Sequence, residues 1–563
     1  MWKQKFLIAI IIQLCAIATV SAQPKPGTAV QLQAGVSGAI AKGYPASVLM
    51  WEVDAVSHTR QSAQFSGVVI SKEGQILSAA HVVMPGKSYQ VMFPDGRQCF
   101  AKGLGRIAIP PTFMQPDAAM LQITDKGLWP FAEMGWSSSL NVNQPCISIA
   151  YPESLEQRKP TVRYGRISEL RNKYGFLQST CVMEPGDSGG PLFDLLGRVI
   201  GIHSGIEVSE NVNYEIPIDT YRKYFSALGD AKNFASLPAD TNIVGKDSLS
   251  TGIQQVSIAT EMLKTQKQLA ASFVRISSIV DGQKQEILGT LFSSDTFSPN
   301  HAVARQLLIS KSSMVGDTPM ITSGNGKTFK GIVLKRNRAN DLVVIAITKK
   351  IRQGVTLTYN SEDIIAFQDL GKQLISPRPD SSSLTGILGS MLINLPKKTS
   401  YGYIGATTGF KGNKLVFTFI QPGKAAAIGG LLTDDIVDAV DGHLVADELD
   451  FVRAIGKYSA GDTTTVTVTR GGQKLEIRIV LHYPPLRTGN HPAERFAGGK
   501  SIKRDGFEQV VVQDARIKPN ECGGPVFDTD GSLIGINIAR LSRTSTVIIP
   551  VSNIKKILSR LLR

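Results

Sequence analysis

The feature that most constrains this chain is that it contains itself twice. "MEPGDSGGPLFDLLGRVIGIHSG" (Met183–Gly205) returns as "IKPNECGGPVFDTDGSLIGINIA" (Ile517–Ala539), with Cys522 where Ser188 stood. Three more landmarks recur in the same order. "GVVISKEGQILSAAHVV" (Gly67–Val83) matches "GTLFSSD" from Gly289 followed by "ARQLLISKSSMV" ending at Val315. "PDAAMLQIT" (Pro116–Thr124) matches "NDLVVIAIT" (Asn340–Thr348), and "YEIPIDTYRKYFSAL" (Tyr214–Leu228) matches "VIIPVSNIKKILSRLL" (Val547–Leu562). Repeats this far apart imply a duplicated domain, since solenoid periods are only about 20–50 residues. At 563 residues the chain exceeds one core, and domains of about 100–200 residues suggest three or four.

Within each copy, short apolar and β-branched runs are broken by Gly, Pro, Asn and Asp. "GVVIS", "QILSAAHVV", "SYQVMF" and "RVIGIHS" read as strands, and "FPDGR" as a turn. Many short strands with few helices predict an all-β barrel or sandwich. Helices are expected over Thr28–Lys42 and Thr251–Ala271, before each copy, and in the closing segment of each. The second copy is interrupted between Asp341 and Cys522. The interruption holds Tyr401–Leu481, with an amphipathic helix at "ELDFVRAI" and two alternating strands joined at Gly471-Gly472. Polar linkers are expected near Gly229–Gly252 and over Pro484–Ser501.

The first 22 residues are set apart. Lys3 and Lys5 precede an apolar run, and Val20 and Ala22 offer a small-residue cleavage site. This pattern predicts a secretory leader and a periplasmic or secreted chain. No later run is long and apolar enough to span a bilayer, so no stable membrane insertion is expected. The net charge of +15 is dispersed apart from the basic tail, with no nucleic-acid motif beside it, and reads as a solvated surface. Cys99, Cys146, Cys181 and Cys522 are too few for a disulfide framework; one bridge among the first three stays open. No metal or nucleotide motif is present, so no cofactor is expected.

The chemistry concentrates in the first copy. Serine-based amide hydrolysis needs a hydroxyl, a base, an orienter for the base and donors for the oxyanion. His81 supplies an imidazole after a buried run, Asp117 an acid that opens an apolar strand, and Ser188 a hydroxyl among Gly186, Gly189 and Gly190. The order His, Asp, Ser with Gly-Asp-Ser-Gly-Gly-Pro resembles the trypsin-like serine proteases, and the strand contexts resemble their HtrA/Deg branch. The resemblance implies His81 as base and acid, Asp117 as orienter and Ser188 as nucleophile, with the N–H groups of Gly186 and Ser188 as oxyanion donors. It implies that His203, Ser204 and Gly205 line the bound peptide. Val182, with Cys181, lies near the pocket floor, which favours small or aliphatic residues before the cut. The branch has asparagine where Asp187 stands; whether Asp187 pairs with an activating amino terminus is open.

In the second copy Ser313 replaces His81, Asp341 keeps the acid, and Cys522 replaces Ser188. With no imidazole beside it, Cys522 is expected to be a weak nucleophile, Lys311 being the one alternative base. Residues 400–483 resemble a PDZ domain. "YGYIG" implies a carboxylate-binding loop at Tyr403, Ile404 and Gly405, and Asp434 stands where the family has glycine.

The expected fold is mainly β: two tandem trypsin-like double β-barrels, the second degenerate and interrupted by an α+β PDZ domain. The expected division is a leader over 1–22, a protease domain over 23–230 and a linker with helix over 231–262. The degenerate domain follows over 263–399 and 484–563, around the PDZ domain at 400–483. The expected function is that of an exported serine endopeptidase acting on unfolded or partly folded proteins, with peptide C-termini bound at the PDZ domain. A homo-oligomer is left open. The alternative is a catalytically weak peptide-binding scaffold.

Overall fold

The computed structural model describes residues 29–109, 116–239, 247, 269–280, 282–293, 306–347, 351, 354–357, 365–485 and 489–561. The expected leader, and most of the helix expected over Thr251–Ala271, lie outside the described residues. The chain opens with a helix, Ala29–Gly43, where one was expected.

Six strands then close a barrel: β1 (Ser47–Val53), β2 (Phe65–Val69), β3 (Gln75–Ala79), β4 (Ser88–Met92), β5 (Gln98–Ala108) and β6 (Asp117–Ile123). The ring order is β1-β2-β3-β6-β5-β4, closed by antiparallel pairing of β4 with β1. Burial alternates along β5, which therefore gives one face to the barrel core and one to water. A second closed barrel follows from β7 (Pro145–Ala150), β8 (Thr161–Glu169), β9 (Leu177–Ser179), β10 (Pro191–Phe193), β11 (Val199–Ile206) and β12 (Asn213–Pro217). A short β13 (Asn233–Phe234) pairs with Arg106 and Ile107 of β5, so the first barrel reaches past residue 230, where its domain was expected to end.

The next six strands are β14 (Phe273–Val280), β15 (Gln283–Leu291), β16 (Gln306–Lys311), β17 (Met320–Thr322), β18 (Thr328–Asn337) and β19 (Leu342–Ile347). They close in the order β14-β15-β16-β19-β18-β17, which is strand for strand the order of the first barrel. After β20 (Gln373–Pro377) and β21 (Ser383–Ile387) the chain leaves for a separate sheet. That sheet comprises β22 (Ala406–Lys411), β23 (Lys414–Ile420), β24 (Ile436–Val440), β25 (His443–Leu444), β26 (Thr463–Arg470) and β27 (Gln473–Val480), with helices Ala425–Gly429 and Glu448–Gly456. The chain returns as β28 (Val511–Gln513), β29 (Pro525–Asp528), β30 (Leu533–Arg540) and β31 (Thr546–Pro550), and ends in the helix Val551–Leu561. The resulting sheet, β21-β20-β29-β30-β31-β28, repeats the order of the second barrel. Its open seam is crossed by the isolated bridges Leu388 to Gln513 and Ile393 to Val510.

The two halves pack as one body. The opening helix buries Val36 and Ile40, and a Cβ on Gly371 of the second half would meet both. Gln33 on the same helix donates to Gly371 O at 3.0 Å and accepts from Gln373 N at 3.2 Å. Leu370 and Ile387 of the second half join the core of the first, each side chain contributing about 1.5–3 kcal/mol when fully buried.

Asp514 stitches the joint beside a cavity of about 300 Å³ between the halves, accepting from Tyr164 N at 2.8 Å and from Ile387 N at 2.7 Å. Burial pushes its carboxyl up to about 6, against these backbone hydrogen bonds and the Arg163 charge. The folded chain therefore holds this proton at pH values where the unfolded chain has lost it. The stability so gained is full below about pH 4 and is lost as the pH rises through about 6. Comparing urea unfolding of the native chain with Asp514→Asn should show the difference in stability falling by on the order of 2 kcal/mol across that window, allowing for solvent screening in the cavity. A pH-independent difference would contradict this.

Candidate active site

The two glycine-rich loops adopt strained turns for identifiable reasons. Gly186 has φ +95° and Gly189 φ +81°, both in the left-handed region. A Cβ on Gly189 would sit 2.0 Å from Ser78 Oγ and 2.3 Å from Ser66 O. The loop is thereby pressed onto β2 and β3 of the first barrel. Ser66 N donates to Ser188 O at 2.9 Å, Ser66 Oγ donates to Gly186 O at 2.7 Å, and Gly189 N donates to His203 O at 2.8 Å.

His81 lies on a single 3₁₀ turn, Ala80–Val82, at the end of β3, so the run read as one strand stops at Ala79. Its Nδ1 is 2.8 Å from Asp117 Oδ2, and its backbone N–H donates to Asp117 Oδ1 at 2.9 Å. Ser204 Oγ, from the second barrel, donates to Asp117 Oδ2 at 2.6 Å. Asp117 is 8% exposed and the His81 side chain 44%, so the acid is sheltered while the ring faces the cleft. The two barrels thus meet at Asp117, which joins His81 of the first barrel to Ser204 of the second, while the Ser188 loop lies on β2 and β3. The Ser188 hydroxyl makes no hydrogen bond among the described residues, that to His81 included; resting hydrogen bonds of this kind are often long before substrate arrives. The N–H groups of Gly186 and Ser188 also donate to no acceptor among the described residues.

Two expected groove residues have other duties. The His203 side chain is fully buried with Nε2 2.6 Å from Ser148 Oγ, because alternation along β11 turns it into the barrel. Its backbone N–H donates to Gly190 O, and burial with the Arg163 charge holds its ring well below the ordinary range, hence neutral. Val182 is 6% exposed and its carbonyl accepts from Arg163 Nη1 at 2.9 Å. Ser204 and Gly205 stay half exposed beside the cleft.

The sequence offered no partner for Asp187; the structure supplies Arg163 from β8. Nη1 reaches Oδ2 at 2.5 Å and Nη2 reaches Oδ1 at 2.6 Å, with side chains 3% and 1% exposed. Burial is the largest influence on Arg163 and would lower its pKa, but the charge and hydrogen bonds of Asp187, with the nearby Glu184, together raise it and keep the guanidinium charged. Asp187 also accepts from Glu184 N at 2.9 Å, which ties the segment before Ser188 into the same array. An arginine on an alternating strand carries no signal of this role until the strands are paired.

The second copy repeats the frame with Ser313 and Cys522 in place of His81 and Ser188. Ser313 N donates to Asp341 Oδ1 at 2.7 Å and Ser313 Oγ to Asp341 Oδ2 at 2.8 Å, the pattern His81 makes with Asp117. Lys311 is ruled out as a base: its buried ammonium donates to Asp341 Oδ2 at 2.6 Å, Lys503 O at 2.7 Å and Ile538 O at 2.9 Å. Pro519–Glu521 form a 3₁₀ turn, and Cys522 N donates to Pro519 O at 3.4 Å, so the N–H that is free on Ser188 is consumed here. Cys522 is fully buried, and burial pushes its thiol up. Iodoacetamide at pH 7 should leave Cys522 unlabelled in the folded chain and label it in denaturant; rapid labelling of the native chain would contradict this. The other cysteines among the described residues are also unbridged; Cys146 and Cys181 lie together in the second barrel with sulfurs 3.9 Å apart, and Cys99 is in the first.

In the separate sheet, Ile404 O accepts from Ala426 N and Gly405 O from Gln421 N, at 2.8 and 2.9 Å. The N–H groups of Ile404 and Gly405 donate to no acceptor among the described residues. They stand at the head of β22, an edge strand next to the helix Glu448–Gly456. Asp434 has φ +70°, the region for which glycine is suited.

The chain carries a trypsin-like peptidase domain and a PDZ domain, and it is similar to serine proteases of the HtrA type. Residues 65–202 match the family description "Trypsin-like peptidase domain" and residues 402–481 match "PDZ domain". The chain is 30% identical over 219 residues to "Serine protease HTRA1" of Xenopus tropicalis, covering 38% of this chain and 45% of the relative. It is 32% identical over 218 residues to a "Probable periplasmic serine endoprotease DegP-like" of Hahella chejuensis, covering 37% and 40%. A protein of the same description from Brucella suis is 26% identical over 409 residues, covering 71% and 69%. The chain thus matches less than half the length of the first two relatives. Among solved structures, "HtrA-type protease AlgWS227A with tripeptide" is 16% identical with a TM-score of 0.30, over 80% of this chain and 97% of the other.

Proposed function

We propose that the chain is an exported serine endopeptidase that cleaves unfolded or partly folded proteins. The observation that carries this reading is the array in which Asp117 holds the ring and backbone of His81 and is itself held by Ser204, beside a Ser188 loop with two unused N–H groups. In this mechanism His81 takes the Ser188 proton as the hydroxyl attacks the scissile carbonyl. Asp117 keeps the imidazole in the tautomer with its proton on Nδ1 and stabilises the imidazolium that forms. The Gly186 and Ser188 N–H groups receive the charge on the carbonyl oxygen. His81 then returns the proton to the leaving amine, and water releases the acyl group by the same route.

The second barrel pair is a degenerate copy retained for structure, and the PDZ domain, over residues 400–483, binds peptide C-termini. The unused N–H groups of Ile404 and Gly405 support carboxylate capture, with the peptide added as a strand along β22. The periplasmic description of the DegP-like relatives and the leader-like first 22 residues support export. Incubation of the mature chain with casein should yield fragments, and Ser188→Ala should yield none. Fragments that persist in Ser188→Ala would contradict the reading.

A further inference from the structure

The loop between β11 and β12, Glu207 to Val212, is gripped by three arginines of the second half. Arg543, with no exposed surface, donates from Nη1 to Glu207 O at 2.7 Å and Val208 O at 3.2 Å. Its Nη2 donates to Ser209 O at 2.7 Å and Asn213 Oδ1 at 3.5 Å. Arg540 Nη2 pairs with Glu210 Oε1 at 2.7 Å, with side chains 2% and 8% exposed. Arg516 donates to Asn211 Oδ1 at 2.6 Å and to Glu210 O at 3.2 Å. Arg540 is anchored in its own half through Ala515 O at 3.1 Å and Thr546 Oγ1 at 3.4 Å, so the grip transmits the position of the second half. Arg540 ends β30 and Arg543 lies within the turn between β30 and β31. That turn is the counterpart, in the repeated strand order, of the loop they hold.

The gripped loop leads to the nucleophile. Asn213 at its end accepts from Met183 N at 3.2 Å and donates to Ser179 O and Glu210 O at 3.3 and 3.1 Å. Glu184, the next residue after Met183, donates to Asp187, and Ser188 follows. A second tie runs through β8. Val162 N donates to Gly389 O at 2.9 Å and Tyr164 N to Asp514 at 2.8 Å, on either side of Arg163, the partner of Asp187. Two of the supports of the Ser188 loop, through Asn213 and through β8, therefore rest on the second half.

We infer that the second half is a built-in positioning device. Arg516, Arg540 and Arg543 hold the Glu207–Val212 loop in the shape that seats Asn213 against Met183 and thereby supports the segment leading to Ser188, so a barrel pair with no working nucleophile sustains turnover by the other. The inference rests on the endopeptidase reading. The three arginines are positioning residues, since none touches the reacting atoms. A buried arginine that satisfies several carbonyls cannot be removed without leaving those carbonyls unpaired, and the loop must then reorganise to reach water.

The test compares the full chain with Arg543→Ala, Arg543→Lys and Arg516→Ala. The readouts are amide hydrogen exchange over residues 207–213, kcat and KM on a fluorogenic peptide, and the unfolding midpoint. Arg543→Ala should speed exchange in that loop at least tenfold and lower kcat/KM at least tenfold, and Arg543→Lys should recover part of both. Faster exchange with kcat/KM within twofold of the native chain overturns the inference, as does unchanged exchange. If Arg543→Ala does not fold, Arg516→Ala, at a half-buried site, should still lower kcat/KM by two- to fivefold, and no change there overturns it. A native chain that turns over no peptide and takes no fluorophosphonate at Ser188 sinks the endopeptidase reading itself, an outcome separate from a working enzyme indifferent to its arginines.

Discussion

Ser188→Ala and His81→Ala should each lower kcat on a protein or peptide substrate by about 10⁶-fold, and the double variant should be no worse than either single one. The hydroxyl and the imidazole act as one unit: without the base the serine stays protonated, and without the serine the base has nothing to deprotonate. Asp117→Asn should cost about 10⁴-fold. The backbone N–H of His81 and the Ser204 hydroxyl both donate to this carboxylate, so the amide would keep some of the geometry. What it loses is the acceptor that holds the ring proton on Nδ1 and the charge opposite the imidazolium. Steady-state kinetics on purified variants checks all four values. Additive losses in the double variant would show that the two residues do not share a step.

The second large effect concerns a residue outside the cleft. Arg163→Met should destabilise the fold by about 3–5 kcal/mol, because it leaves the Asp187 carboxylate buried without a partner. It should also lower kcat by about 10²–10³-fold, the scale of losing one oxyanion donor. Asp187 precedes Ser188 directly and pins Glu184 N, so releasing it frees the turn that presents the Gly186 and Ser188 N–H groups. Arg163→Met with Asp187→Asn removes the stranded charge and should regain much of the stability, while kcat stays low because the bidentate clamp is still missing. Chemical unfolding with kinetics on the same samples separates the two effects. Recovery of full activity in the double variant would show that the ion pair serves stability alone.

What could be read from the sequence followed how local each signal was. The loop around Ser188, the histidine after the β3 run and the acid at the start of β6 are short motifs whose chemistry needs those residue types in that order, and they were legible, whereas the turn that carries His81 was read as strand. The repeat was legible because its landmarks recur in the same chain order, and the strands that carry them pair in the same order in both halves. Arg163 was not, since an arginine in an alternating strand reads as a solvated face until a facing loop is known. The inward turn of His203 was missed for a related reason: the strand was recognised, but its register decides which side chains face the barrel. Lys311 looked like a spare base because spacing put it near Ser313, yet three acceptors from distant segments hold its ammonium. The arginines that grip Glu207–Val212 lie over 300 positions away in the chain, and no local pattern links them to it.

The central claim is that Ser188, His81 and Asp117 form one working nucleophile. Its most direct measurement is fluorophosphonate labelling of the purified full chain, with the adduct located by peptide mapping. The expected result is a single adduct on Ser188, absent from Ser188→Ala, strongly reduced in His81→Ala and never found on Cys522. An unlabelled native chain, or labelling of Ser188 at the same rate with and without His81, would contradict it.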